Sequence, residues 1–412
     1  MPTKRNRAGK QQNYVEAGHG DASGEYGDNA TGSNKHIQFT SFKKPKDDVG
    51  IEIKSDGVTS VQAKPKYDGK GNESLISSIS DRISSRGKLT PNGKSLVEQI
   101  KGADDELSGV IGDYYKQNPN VEIKMGKNLN SMYAYSWGGT IKKVQLGNEA
   151  INSTDRNYSK GGAFFHESGH ALDYTYNGEH KTWSNNYKSE KYGKTISEMI
   201  KEEIGQADYM QITKDFAEKR MAFNTPEYQA LKDKKLQLEK EIEEIGNKAQ
   251  NSPKCIEIQS KLDEARKNKC DAFRVGKYEE MRKWQNEAYR LQDEWEVEYK
   301  NNLPDNYKSM REEINNLSNK TYEMQQEARC EANRLYGDLS DMCQASIGKR
   351  FGMGHSDSYF KGAEADINRG TEAFAEIMSA KATNKEALGI LQKYIPKTLE
   401  IFDEIVGKIK GA

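Results

Sequence analysis

The sequence predicts an α+β fold: a small sheet and two helices carrying histidine and glutamate, divided by a long helical-hairpin or coiled-coil insertion and preceded by a disordered arm. Three observations predict it. Short β-patterned stretches cluster between positions 121 and 146, an apolar helix start follows Gly161-Gly162, and from about 225 to 336 the chain becomes highly charged with helical apolar spacing.

Residues 1–72 are rich in Gly, Asn, Lys, Asp and Ser and show no sustained apolar period, which reads as an extended or disordered arm. A short helical segment is expected over 73–120. There Leu75, Ile76, Ile79 and Ile83, then Leu107, Val110, Ile111, Tyr114 and Tyr115, recur at helical spacing around a turn at Pro91-Asn92-Gly93. The first part of the site-bearing domain spans 121–224. Its strands are expected at 121–125, 132–137 and 141–146, the last two joined as a hairpin at Gly138-Gly139.

Residues 225–336 form the insertion. Leu231, Leu238, Ile242 and Ile245 make one stripe, Trp284, Ala288, Leu291 and Trp295 a second, and Met310, Ile314, Leu317 and Met324 a third; each is helix-packing core. Pro253 and Pro304 break the helices. The domain resumes over 337–412, loop-like from 339 to 370 around Gly348, Gly352, Gly354, Gly362 and Gly370, then closing with helices at 371–382 and 385–410.

Composition narrows the function. Lys plus Arg and Asp plus Glu are 63 each, so no net field draws the chain to nucleic acid. Charged residues make up 31% and apolar ones 34%, a polar balance that solvated helices and an arm account for. Cys255, Cys270, Cys330 and Cys343 have no CxxC spacing, which fits reduced thiols. No apolar stretch suits a signal peptide at the start or a membrane span, so the expected setting has no membrane.

His166-Glu167-Ser168-Gly169-His170 carries the chemistry. Residues four apart share a helical face, so both imidazoles can reach one ion, while Glu167 stands to the side as a general base for water. Zn2+ is the expected cofactor, because it takes two histidines and a carboxylate and brings the pKa of water toward 7. A third ligand must come from elsewhere. In Thr371-Glu372-Ala373-Phe374-Ala375-Glu376, two glutamates share a helical face beside apolar anchors. Glu372 is assigned to the metal and Glu376 to orienting a histidine, with the reverse as the alternative. Asp173 could accept a hydrogen bond from a ligand imidazole or be a solvated aspartate. His180 is set aside as a ligand.

These motifs, with Ala171-Leu172-Asp173-Tyr174 and the closing Ile395-Pro396-Lys397-Thr398-Leu399-Glu400-Ile401-Phe402, resemble the catalytic domain of anthrax lethal-factor-like zinc peptidases. They are still more similar to the related domain in minor head, or head morphogenesis, proteins of tailed bacteriophages. The resemblance covers about 121–177 and 339–409 and implies a zincin-like domain of the gluzincin type, holding zinc through His166, His170 and Glu372. It departs in spacing, with about two hundred residues between His170 and Glu372, and at Ala365, where the toxin has a tyrosine. The stretch Gly352-Met353-Gly354-His355-Ser356-Asp357-Ser358-Tyr359 resembles a glycine-histidine segment of the phage proteins. On that basis His355 or Tyr359 would stabilise an oxyanion or protonate a leaving amine, against the alternative of a loop histidine with no role.

The expectation is a zinc metallopeptidase acting on a protein or peptide, located in a virion or the host cytoplasm. The alternative is a structural head protein with portal or capsid partners, in which zinc staples the fold. A delivered toxin with the same chemistry is the third reading.

Overall fold

Several helix starts in this chain are set by side-chain caps. In the computed structural model, which describes residues 67–135, 141–152, 159–176, 181–356 and 358–411, Thr90 accepts a hydrogen bond from Gly93 N, and Pro91 opens a helix. The expected turn at Pro91-Asn92-Gly93 is therefore a helix start, because proline's fixed φ and missing N–H suit the first helical position. Nearly all of the arm, the Gly138-Gly139 pair and His180 lie outside the described residues.

The chain divides into two compact units. One is Tyr209–Asn333, and the other joins the residues before and after it. The sequence places the insertion at 225–336, slightly later at both ends.

In the site-bearing unit, α1 (Gly71–Ile79), the two-residue pair β1 (Ser84–Ser85) and β2 (Lys88–Leu89), α2 (Pro91–Lys101) and α3 (Asp105–Gln117) form the first layer. Leu75, Ile79, Leu96, Ile100, Ile111 and Tyr115 are buried there. A three-stranded sheet follows, from β3 (Glu122–Gly126), β4 (Met132–Tyr135) and β5 (Ile141–Gly147), with β5 central. β3 runs parallel to β5, pairing Ile123 with Val144, and β4 runs antiparallel, pairing Tyr133 with Val144. β4 is thus an edge strand. After α4 (Asn148–Asn152) comes α5 (Gly162–Asp173), whose preceding Gly161 takes a φ of 83° that glycine adopts without strain. Every residue of α5 except Ala163 is buried. A helix enclosed on all sides yet holding His, Glu and Ser marks a site, since buried polar groups must be partnered or functional.

α6 (Trp183–Asn186) and α7 (Ile196–Gln206) complete this half. The second unit holds α8 (Tyr209–Arg220), α9 (Pro226–Gln250), α10 (Pro253–Arg274), α11 (Tyr278–Asn301) and the first part of α12 (Tyr307–Ile347). α10 and α11 form an antiparallel hairpin: Ile258, Leu262, Ala265 and Leu291 make its core, covered by Trp284, Ala288 and Trp295. Asn302 donates to Ser252 across its open end. α9 runs antiparallel to α12, tied by Lys320 to Glu227 and by Lys234 to Glu313.

The last turns of α12 overturn the expected loop from 339. Leu339, Met342 and Cys343 form a buried stripe that carries the helix to Ile347, and the glycines act only beyond it. α13 (Ala365–Thr383) follows. The single closing helix expected over 385–410 is two, α14 (Lys385–Tyr394) and α15 (Pro396–Gly411), because Ile395 precedes a proline and leaves the helical region. The start of α15 is held by Glu203 of α7, whose carboxylate accepts from Lys397 N, Thr398 N and the Thr398 hydroxyl at 2.7–2.9 Å.

Replacing this buried cap tests the docking of α15. Glu203→Ala leaves three donors without their acceptor and should cost about 2–3 kcal/mol, read as a lowered urea midpoint.

Candidate metal centre

α5 and α13 meet at backbone contact. A Cβ at Gly169 would lie 3.1 Å from the Cα of Ala375 and 3.1 Å from the Cβ of Met378, so any larger residue would have to push the two helices apart by a few tenths of an ångström. The Gly162 carbonyl accepts from the Ser379 hydroxyl, and Ser159 and Thr383 share a 2.6 Å hydrogen bond, which sets how far one helix slides along the other. That register places Glu372 over the histidine pair.

His166 Nε2 and His170 Nε2 are 3.1 Å apart, and Glu372 Oε2 lies 3.5 Å from each. All three residues are buried and could hold a metal ion. Ligand atoms about 2.0–2.1 Å from a tetrahedral ion sit about 3.3 Å from one another, so these separations match a four-coordinate site with one position left open. A set of two imidazoles and one carboxylate also suits a borderline ion such as zinc better than magnesium or calcium, which prefer oxygen. Glu372 Oε2 has no hydrogen-bond partner among the described residues, and neither has His170 Nδ1.

Electrostatics agree with a cation site. Burial pushes the Glu372 carboxyl up, but His355, His170 and His166 outweigh it and hold it well below the usual range. Burial lowers the basicity of His170, keeping it the neutral imidazole a metal requires. Tyr133 of the edge strand β4 stacks on His170, ring centroids 4.6 Å apart. Glu167 is fully buried, and no hydrogen bond to its carboxylate oxygens forms among the described residues. Burial raises it to about 8, against the pull of His166; the Tyr133 backbone favours its charged form only weakly, without reaching hydrogen-bond geometry.

Glu376 lies behind His166, its Oε2 3.7 Å from His166 Nδ1, an ion-pair distance longer than a hydrogen bond. It also shares a side-chain hydrogen bond with Asp338 of α12, whose surface is partly exposed but whose carboxyl group is enclosed. Burial pushes both carboxyls up, Asp338 well above the usual carboxylate range with the Glu376 charge adding to it, and Glu376 to about 8. Asp173 turns away from the imidazoles: Ser184 N donates to one of its oxygens at 2.8 Å and the Ser184 hydroxyl to the other at 2.6 Å. The expected bond from Asp173 to a ligand histidine is replaced by one that anchors α6.

His355 and Tyr359 both reach the site. His355 Nε2 is 3.6 Å from Glu372 Oε1, and Tyr359 Oη donates to the same oxygen at 2.6 Å. His355 Nδ1 donates to Asp341 Oδ1 and Oδ2, each at 2.9 Å, and its backbone N–H adds a third bond to that carboxylate. Burial lowers the basicity of His355, but Glu372 and Asp341 outweigh it and raise its pKa to about 10. Asp341, His355 and Glu372 also converge closely enough to hold a cation, yet the Asp341 oxygens are already occupied by His355. Sequence reading missed Asp338 and Asp341. The signal for them was the helical stripe of Leu339, Met342 and Cys343, which places 338 and 341 one turn apart on a buried helix.

No family model, no curated protein and no solved structure matches this chain.

Asp173→Ala strips the acceptor from two buried donors and should cost about 1–3 kcal/mol in thermal unfolding. Metal uptake by the folded chain should stay unchanged, as measured by equilibrium dialysis.

Proposed function

We propose that the chain is a zinc-dependent peptidase in which His166, His170 and Glu372 hold the ion and Glu167 is the general base. One observation carries this reading: two histidines and a glutamate from helices some two hundred residues apart in sequence bring three buried ligand atoms within 3.1–3.5 Å of one another. A zinc ion held there would supply a Lewis acid that brings the pKa of a water toward neutrality. Glu167 would take the proton from a water in that space and pass it to the leaving amine; its enclosed carboxylate has no competing hydrogen bond among the described residues. Burial raises its pKa to about 8 against the pull of His166, and a cation held by the triad would favour the ionised form. His355, charged and fixed by Asp341, presents Nε2 to the same space and would stabilise negative charge developing on the scissile carbonyl oxygen.

A peptide substrate is supported by the edge of β4, which contacts α5 and whose Tyr133 stacks on His170. An extended chain can add to such an edge as a further strand. The zincin-like fold and a place in a phage particle or infected cell rest on the motif resemblance alone. Among the described residues, no helix is long and apolar enough to cross a membrane.

A second reading, a head protein whose zinc centre is structural, is favoured by the second unit. The turn joining α10 and α11 exposes Phe273, Val275 and Tyr278 at 60–67%, a surface that peptide hydrolysis does not need and that suits a portal or capsid partner.

The two readings part on Glu167→Gln. The peptidase reading expects chelator-sensitive cleavage of denatured casein or capsid protein to fall at least about 1000-fold while zinc content stays at the wild-type level. Undiminished cleavage would remove Glu167 as the base.

A further inference from the structure

Glu372 has two carboxylate oxygens, and they meet different surroundings. Oε2 lies 3.5 Å from both ligand imidazoles and has no hydrogen-bond partner among the described residues. Oε1 takes the 2.6 Å hydrogen bond from Tyr359 Oη and faces His355 Nε2 at 3.6 Å. A carboxylate beside a cation can offer one oxygen or both. Turning Oε1 toward the ion would break a short hydrogen bond to a buried acceptor, so the donor selects the one-oxygen arrangement.

The donor is itself held. The Tyr359 ring stacks on His355, with centroids 4.2 Å apart and planes within 14°, and meets Phe360 edge-on. The Tyr359 carbonyl accepts from Asn368 Nδ2 of α13 at 2.8 Å, and its N–H donates to the Ser356 carbonyl. His355 is fixed by Asp341 on its ring and backbone N–H, while its carbonyl accepts from Gln344 and Arg350. Gly354 makes room for this: a Cβ there would sit 2.7 Å from Gln344 Oε1 and 3.0 Å from Asp341 Oδ1. The loop after α12 is thus fastened to α12 and α13 at both ends of the His355–Tyr359 stack.

We propose that Tyr359, backed by His355 and Asp341, is a positioning clamp that keeps Glu372 a single-oxygen ligand, with Oε2 offered to the ion and Oε1 held away. This rests on the metal-centre reading and adds to it a role for Tyr359 other than oxyanion donor, because its hydroxyl proton is committed to Glu372.

The test uses the full chain loaded with Zn2+, and with Co2+ as a coloured probe of coordination. Tyr359→Phe should weaken Zn2+ binding about 10- to 100-fold, measured by competition with a chromophoric chelator, and shift the visible bands of bound Co2+. Circular dichroism of the metal-free variant should keep the wild-type helical signal, which separates lost affinity from a lost fold. Asp341→Ala removes the carboxylate that holds His355 and should move both readouts in the direction of Tyr359→Phe. A Tyr359→Phe chain with wild-type affinity and an unchanged Co2+ spectrum overturns the clamp alone. A wild-type chain that takes up neither ion overturns the metal centre and the clamp with it.

Discussion

Two helices far apart in sequence must touch at their backbones before any chemistry is available to this chain. Gly169 on α5 allows the contact with Ala375 and Met378 on α13, and the hydrogen bonds from Ser379 to Gly162 and between Ser159 and Thr383 fix its register. With that contact made, Glu372 Oε2 stands equidistant from the two imidazole nitrogens. Helical geometry sets the spacing within His166 and His170, but only the packing of α5 on α13 brings in the carboxylate.

The enclosure that makes the site selective also makes it costly. Glu167, Asp341, Glu372 and Glu376 are buried close together, and concentrating acids in a low-dielectric interior is unfavourable unless positive charge or shared protons offset it. Three solutions are visible. Asp341 is paired with His355, Glu376 is hydrogen-bonded to Asp338, and Glu372 faces three histidines. Glu167 has only the pull of His166 and His355 against its burial, and a cation at the triad would complete the compensation. Asp173 belongs to a different task, since its bonds to Ser184 settle α6 against the end of α5.

Local chemistry was legible in the sequence where a residue's role depends on its near neighbours. The His166-Glu167-x-x-His170 spacing and the paired faces of Glu372 and Glu376 can be read directly, as can the apolar stripes that become the α10–α11 core. Roles set by long-range packing were less legible. Asp338 and Asp341 have no motif of their own, and the glycines beyond 347 suggested a loop where the buried stripe of Leu339, Met342 and Cys343 continues α12. Proline misled in one place and was overlooked in another: Pro91 starts a helix that a Pro-Asn-Gly reading makes a turn, and Pro396 divides what periodicity joins. Asp173 shows the limit of spacing arguments. Its distance along the helix permits a bond to an imidazole, but Ser184, eleven residues on, offers two better-placed donors.

X-ray absorption at the zinc edge on the purified full chain, with zinc measured per chain, reads the ligand set of the triad itself. One zinc per chain is expected, with two imidazole nitrogens and carboxylate oxygen in its shell at about 2.0–2.1 Å, and loss of that signal in Glu372→Ala. A stoichiometric zinc signal that is unchanged in Glu372→Ala, or a folded chain that takes up no zinc, would contradict it.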